Sequence, residues 1–317
     1  MVIKKSAGVL AIGALVPPLL LGACGSSTPT APASQAPPAA STSAASTPAT
    51  NTPTTSASPK DVTEKDFDAA NFPAAPKVDN RWYPLTPGTQ YVFEGKADRG
   101  KGNRAHRVVF TVTDLMKMIN GVPAVVLWDR DINEGELQEA ELAFQSQDND
   151  GNVWLLGEYP EEYEDGKFSG APDTWISGLE GAKPGVLMRA NPRPGTSSYL
   201  QGLAPKIEFQ DRAKVSKAGL RTCVPVQCYD DVLLIDEWNP LEPEGGKQLK
   251  YFATGVGNVR VGAVDDPEAE ELVLAKVNQL SEADLAKARA EALKLEKRAF
   301  EVSAKLYGRT APATQAQ

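Results

Sequence analysis

Between residues 90 and 279 the chain consists largely of short runs of β-branched and aromatic residues, each ended by turn chemistry. Arg107-Val108-Val109-Phe110-Thr111-Val112-Thr113 is such a run. Asn120-Gly121 follows it, and Val122-Pro123-Ala124-Val125-Val126-Leu127-Trp128 returns. Asn-Gly tolerates the positive φ angles of a tight hairpin, and Pro123 suits a strand start or an edge. Residues 136–144 nearly alternate, with Leu137, Leu142 and Phe144 apolar and glutamates between, so a strand here faces water on one side. Asp148-Asn149-Asp150-Gly151 marks the next reversal, and 153–159 the next strand. Prolines and glycines punctuate 166–206, which reads as loop. Strands resume at 207–217, 220–224, 228–238 and 247–253, with two more at 256–263 and 271–279. Such spacing predicts a mainly β fold, an antiparallel sheet curled as a sandwich or a partly open barrel.

The C-terminus changes period. Ser281-Glu282-Ala283-Asp284 has the form of a capping box. Leu285, Ala288, Ala292, Leu295, Ala299, Val302 and Leu306 then recur at steps of three and four. This predicts an α-helix over 282–307 with a narrow stripe, half of it small residues. An isolated helix of this length is marginal in water, so docking against the sheet is expected, with a short coiled-coil or partner-binding helix as the alternative. The expected layout is a β-rich domain over 60–280 with a helix and tail over 281–317.

The first 59 residues follow another logic. Lys4 and Lys5 precede an uncharged, mostly apolar run that ends in Leu21-Gly22-Ala23-Cys24. A basic start, a short apolar run and small residues before the cut are the layout of a secretory signal. The cysteine placed there makes 1–23 resemble a bacterial lipoprotein signal, with Cys24 as the lipidated residue. Pro17-Pro18 argues against a membrane-spanning helix. Residues 25–59 carry no charge and are almost entirely Ser, Thr, Pro, Ala and Gly. Such a stretch cannot bury enough apolar surface to offset its ordering entropy, so 24–59 is expected to be a disordered tether. It spans roughly 30–35 Å as a coil, or about 100 Å as polyproline II. The expected location is the cell membrane or envelope, on the extracytoplasmic face, with the membrane as a partner through Cys24.

Composition excludes several chemistries. Removing Lys4 and Lys5 takes 33 basic residues to 31 against 41 acidic ones, a mature charge near −10. The basic stretch Arg99–Arg107 is read as a solvated hairpin tip, and no nucleic-acid partner is expected. Cys223 and Cys228 flank Val224-Pro225-Val226-Gln227. A turn at Pro225-Val226 places the cysteines opposite each other, and in an oxidising envelope they form a disulfide. A redox pair more often has two residues between its cysteines, and zinc needs further ligands in a chain with one histidine. That histidine, His106, sits between Arg104 and Arg107, which should lower its pKa and leave it neutral. No Gly-x-Ser-x-Gly elbow accompanies it, so no catalytic residue is assigned. Asp148 and Asp150 fit two positions of a calcium loop, but Gly157 stands where a bidentate glutamate is required. Neither a metal nor a cofactor is expected. The candidate ligand surface is the cluster Glu158, Tyr159, Glu161, Glu162 and Tyr163. Paired carboxylates beside aromatics could serve a carbohydrate hydrolase, against the plainer reading of a solvated acidic hairpin.

Several longer motifs add a resemblance. They include Tyr83-Pro84-Leu85-Thr86-Pro87-Gly88-Thr89, Asp148-Asn149-Asp150-Gly151-Asn152-Val153-Trp154 and Gly255-Val256-Gly257. Together they make residues 68–262 resemble a broad family of uncharacterised secreted bacterial proteins and lipoproteins. That family implies an extracytoplasmic β-rich fold and carries no established activity. Physically, Gly255-Val256-Gly257 is expected to allow a close backbone approach or a bulge beside a packed aromatic such as Trp238. The leading functional expectation is a non-catalytic binding or structural lipoprotein that recognises an envelope ligand or protein. An extracytoplasmic hydrolase using paired carboxylates is the alternative.

Overall fold

Thr89 opens a strand that pairs with the next strand in the chain on one side and with the last long strand, some 190 residues on, at the other. This double pairing organises the fold. The computed structural model describes residues 61–100 and 102–316. The signal, Cys24 and the tether lie outside the described residues. The strands are β1 (Thr89–Asp98), β2 (Asn103–Ile119), β3 (Val122–Asn133), β4 (Glu136–Gln147), β5 (Val153–Glu164), β6 (Lys167–Gly170) and β7 (Trp175–Ile176). They continue with β8 (Lys183–Met188), β9 (Tyr199–Ala204), β10 (Phe209–Cys223), β11 (Cys228–Trp238) and β12 (Lys247–Ala253). β13 (Gly257–Val264), β14 (Glu271–Gln279) and β15 (Thr314–Gln315) complete the set.

Twelve of these strands form one antiparallel ring in nearly sequential order, with β8 following β5. β1 pairs with β2 from Gln90↔Thr111 to Asp98↔Asn103, and with β14 from Thr89↔Gln279 to Lys96↔Glu271. The barrel is therefore closed, not partly open, and closure removes the exposed edges that an open sheet must protect. β6 and β7 branch from β5, and β15 pairs with β2 at Leu115 and Met116. The stretch 166–206, expected as loop, holds four of the strands. Pro184, Gly185 and Gly202 weaken their sequence signal, yet Gly185 is what lets β8 and β9 meet. A Cβ on Gly185 would stand 2.2 Å from the Gln201 carbonyl carbon. β10 runs unbroken where two strands were expected, with register shifts between Val215 and Thr222 absorbing the irregularity.

Residues directly opposed on neighbouring strands share a face. Leu127 faces Ala143, and Asp129 faces Glu141, on the inner side; Trp128 faces Leu142 on the outer side. Helix α1 (Glu282–Val302) lies across that outer face against β2 and β4. Its Ser281 cap accepts from the Asp284 N–H at 3.1 Å. Ala288, Ala292, Leu295 and Ala299 are buried, and the alanines let the helix backbone approach the sheet. After a break at Ser303, α2 (Ala304–Tyr307) inserts Tyr307 between Phe144, Tyr159 and Phe300, with ring centroids 5.3–6.4 Å away. No helix among the described residues is long and apolar enough to cross a membrane.

Residues 78–85 cover one end of the barrel. Asn80 organises them, donating to the carbonyls of Gly151 and Arg189 and accepting from the Trp82 N–H. Trp82, Tyr83 and Leu85 are thereby buried, with Tyr83 reaching Phe252. The Gly255 N–H donates to the Arg81 carbonyl at 2.7 Å, and Gly257 lies against Trp82 and Pro84. The close approach expected at this motif therefore involves Trp82 and not Trp238.

Candidate functional site

Strand alternation divides the acidic hairpin. On β5, Glu158 opposes Ala143 and Glu162 opposes Glu139, whereas Tyr159 opposes Leu142 and Glu161 opposes Ala140. Glu158 and Glu162 thus belong to the inner face, and Tyr159, Glu161 and Tyr163 to the face beneath the helix. The five residues do not make one surface. Nor is the cluster wholly solvated, for Glu158, Tyr159 and Glu161 are buried while Glu162 and Tyr163 are half-buried. Glu158 accepts the Trp175 indole N–H at 2.8 Å. Glu161 accepts the hydroxyls of Tyr159 (2.9 Å) and Tyr163 (2.6 Å) and pairs with Arg298 Nε at 2.9 Å. Helix α1 supplies Arg298, so this carboxylate fastens the helix to the barrel. Lys117 does the same from β2, its Nζ 2.7 Å from Glu296 Oε1.

The Arg99–Arg107 stretch is also more than a solvated tip. Its hairpin folds against the loop before β14. Arg99 bridges Glu268 (2.6 Å) and Asp131 (3.1 Å). The His106 side chain has 0% exposure, with Nε2 2.9 Å from Glu270 Oε1 and Nδ1 3.3 Å from Asp131 Oδ1. Gln248 donates to the second oxygen of Glu270 at 2.7 Å. Burial opposes charging the imidazole, but the Glu270 hydrogen bond and the Asp131 and Glu270 charges outweigh it, and the pKa is raised. The expected lowering of the His106 pKa is therefore corrected: the carboxylates around it raise it. Arg107 lies on the opposite face of β2, and Arg104 turns to Glu134 at 3.9 Å. Burial raises the pKa of Asp131 and Glu268, and Asp129 is pushed up to about 7 by burial and then by the Asp131 charge.

The barrel interior continues in the same polar style. Gln201 donates to Glu237 at 2.9 Å, Lys250 pairs with the other oxygen of Glu237, and Arg189 stacks on Tyr199 at 4.4 Å. These groups pair across facing strands, so the interior is polar and not an apolar ligand chamber, although Gln201 Oε1, Arg189 Nη2 and the Tyr199 hydroxyl are buried without a hydrogen-bond partner. No group of three His, Cys, Asp or Glu side chains among the described residues is placed to hold a metal ion. At the Asp148–Gly151 reversal, Asp148 accepts from the N–H groups of Asp150 and Asn152 and from the Trp154 indole at 2.8 Å. Cys223 and Cys228 oppose each other in register and are disulfide-bonded.

An open concavity of about 600 Å³ lies on the outer surface. The segment around β7, the turn Pro205–Ile207 and the α1–α2 junction enclose it. Trp175 and Ile176 line its buried wall, and Leu179, Ile207, Val302 and Leu306 its more open parts. Thr174 Oγ1 donates to the Ala171 carbonyl at 2.9 Å and lies 3.1 Å from Ser303 Oγ, tying the two sides together. Glu180 is the single carboxylate of the lining. Sequence reasoning missed this groove because its walls come from three segments more than 90 residues apart at the extremes. The nearest sequence signal was Val302, an apolar stripe residue that the structure leaves 49% exposed.

No family model matches the chain, and neither does any curated protein sequence. Among solved structures, a protein named as exported and of YmcC-like fold from Bacteroides fragilis NCTC 9343 is 13% identical, with a TM-score of 0.32. One named as a lipoprotein from Parabacteroides distasonis ATCC 8503 is 14% identical, with a TM-score of 0.34. Each match covers 63% of this chain and 99% of the other. Likenesses this weak decide neither fold nor function.

Proposed function

We propose that this protein is an envelope lipoprotein, tethered outside the cytoplasmic membrane through Cys24, and that its barrel is a rigid, non-catalytic carrier for a surface binding site. The state of the acidic hairpin carries the non-catalytic part. A glycosidase of the two-carboxylate type needs both acids facing one cleft. Here Glu158 and Glu161 sit on opposite faces of β5, each already hydrogen-bonded, and the surface groove offers Glu180 alone. The location rests on Leu21-Gly22-Ala23-Cys24 and the uncharged stretch after it. Thioether formation needs the Cys24 sulfur, so the native chain should label with a palmitate analogue and partition with membranes. Cys24→Ser should do neither. Label retained by the variant, or a native chain that stays in the aqueous fraction, refutes the anchor.

A further inference from the structure

The outer groove combines three features that define a ligand class. Its size, about 600 Å³, lies within the range of sites for small molecules. Its bed is aliphatic: Leu179, Ile207, Val302 and Leu306 line it, and Val302 projects into solvent without cover. The Thr174 hydroxyl in the wall is engaged with Ala171 and Ser303. Lastly, Lys206 and Lys305 both belong to the lining, one on the turn after β9 and the other on α2. Both are exposed, and neither forms an ion pair among the described residues. Glu180 opposes them with one charge, so the lining is net positive on a chain whose formal charge is −8.

An aliphatic bed whose lining carries two lysines suits a molecule that is apolar along most of its length and negative at one end. We infer that the groove binds a single-chain amphiphile with an anionic head, of the long-chain carboxylate class. The inference deepens the binding reading above and depends on it. Burial of the chain against the bed supplies the affinity, and the two lysines select the sign of the head.

Titration calorimetry with sodium dodecanoate, kept below its micelle concentration, tests this on the chain from residue 24 onward carrying Cys24→Ser. One dodecanoate per chain is expected. Lys206→Glu with Lys305→Glu should weaken binding by about tenfold, the loss of two surface attractions. Val302→Glu, at an exposed position that does not threaten folding, should weaken it through the bed. Dodecyltrimethylammonium should bind markedly less than dodecanoate. No saturable binding, binding indifferent to all three substitutions, or equal binding of the cationic chain overturns the inference. So does attachment to phosphatidylglycerol vesicles without binding of monomeric dodecanoate, which would make the site a membrane contact. Any of these failures leaves the anchoring result at Cys24 untouched.

Discussion

Glu296→Gln is expected to loosen the joint between helix and barrel far more than a conservative change normally does. Lys117 is fully buried on β2, with Nζ 2.7 Å from Glu296 Oε1 and 2.7 Å from the Ala311 carbonyl. The rings of Tyr307 and Phe300 lie 4.8 and 5.1 Å away. Glutamine keeps the shape of Glu296 and an oxygen for the Ala313 N–H, but it removes the countercharge. Breaking a buried pair by neutralising one partner costs about 3–5 kcal/mol. At roughly 2–4 °C per kcal/mol for a body of this size, the melting temperature should fall by roughly 6–20 °C. The pH response is a second readout. Burial lowers the Lys117 pKa, against the opposing hydrogen bond and charge of Glu296. A base lowered in the fold binds fewer protons than in the unfolded chain, so stability rises with pH up to the ordinary lysine value of about 10.4. Without the glutamate that window widens, and the deficit of the variant should shrink between about pH 7 and about pH 10. Adding Lys117→Met removes the stranded charge and should recover most of the loss. Urea unfolding at the two pH values measures all three terms. A deficit under about 1 kcal/mol, or a double variant no more stable than the single one, refutes the reasoning.

Three further outcomes are expected. The imidazole of His106, the only histidine in the chain, should titrate in an NMR experiment above the ordinary value of about 6.5. Its contribution to stability is then complete below about pH 6.5 and lost as pH rises through the raised value, and His106→Gln should flatten that decline. A neutral His106 at about pH 6 would refute the assigned network. Denatured, unreduced protein should show neither Cys223 nor Cys228 as a free thiol, and reduction should cost roughly 2 kcal/mol for so short a loop. Asp148→Ala leaves the Asn152 amide and the Trp154 indole without their acceptor and should cost roughly 3 kcal/mol in urea unfolding, with Asp148→Asn losing less.

What was legible in the sequence is what short-range physics determines. β-branched runs and Asn120-Gly121 mark β2 and β3, because a hairpin needs only its own turn and alternation. Ser281 and Asp284 announce the start of α1, and the Cys223–Cys228 pair follows from one turn. Nearest-neighbour order around the barrel follows from the same hairpins. Tertiary structure decided everything that depends on distant partners. Closure rests on β1 meeting β14, and no local signal distinguishes that from a sandwich edge. β8 and β9 escaped notice because Gly185 and Gly202 read as loop, although Gly185 is needed where the two strands press together and Gly202 where the Phe209 and Trp175 rings lie against β9. The acidic hairpin looked solvated because its glutamates are adjacent in sequence. The pleat sends neighbours to opposite faces, where Trp175 meets Glu158 and Arg298 meets Glu161. His106 shows the same limit. Its sequence neighbours Arg104 and Arg107 suggested a neutral ring, but a charge titrates by the neighbours it has in space. Those are Asp131 and Glu270, the latter 164 residues away.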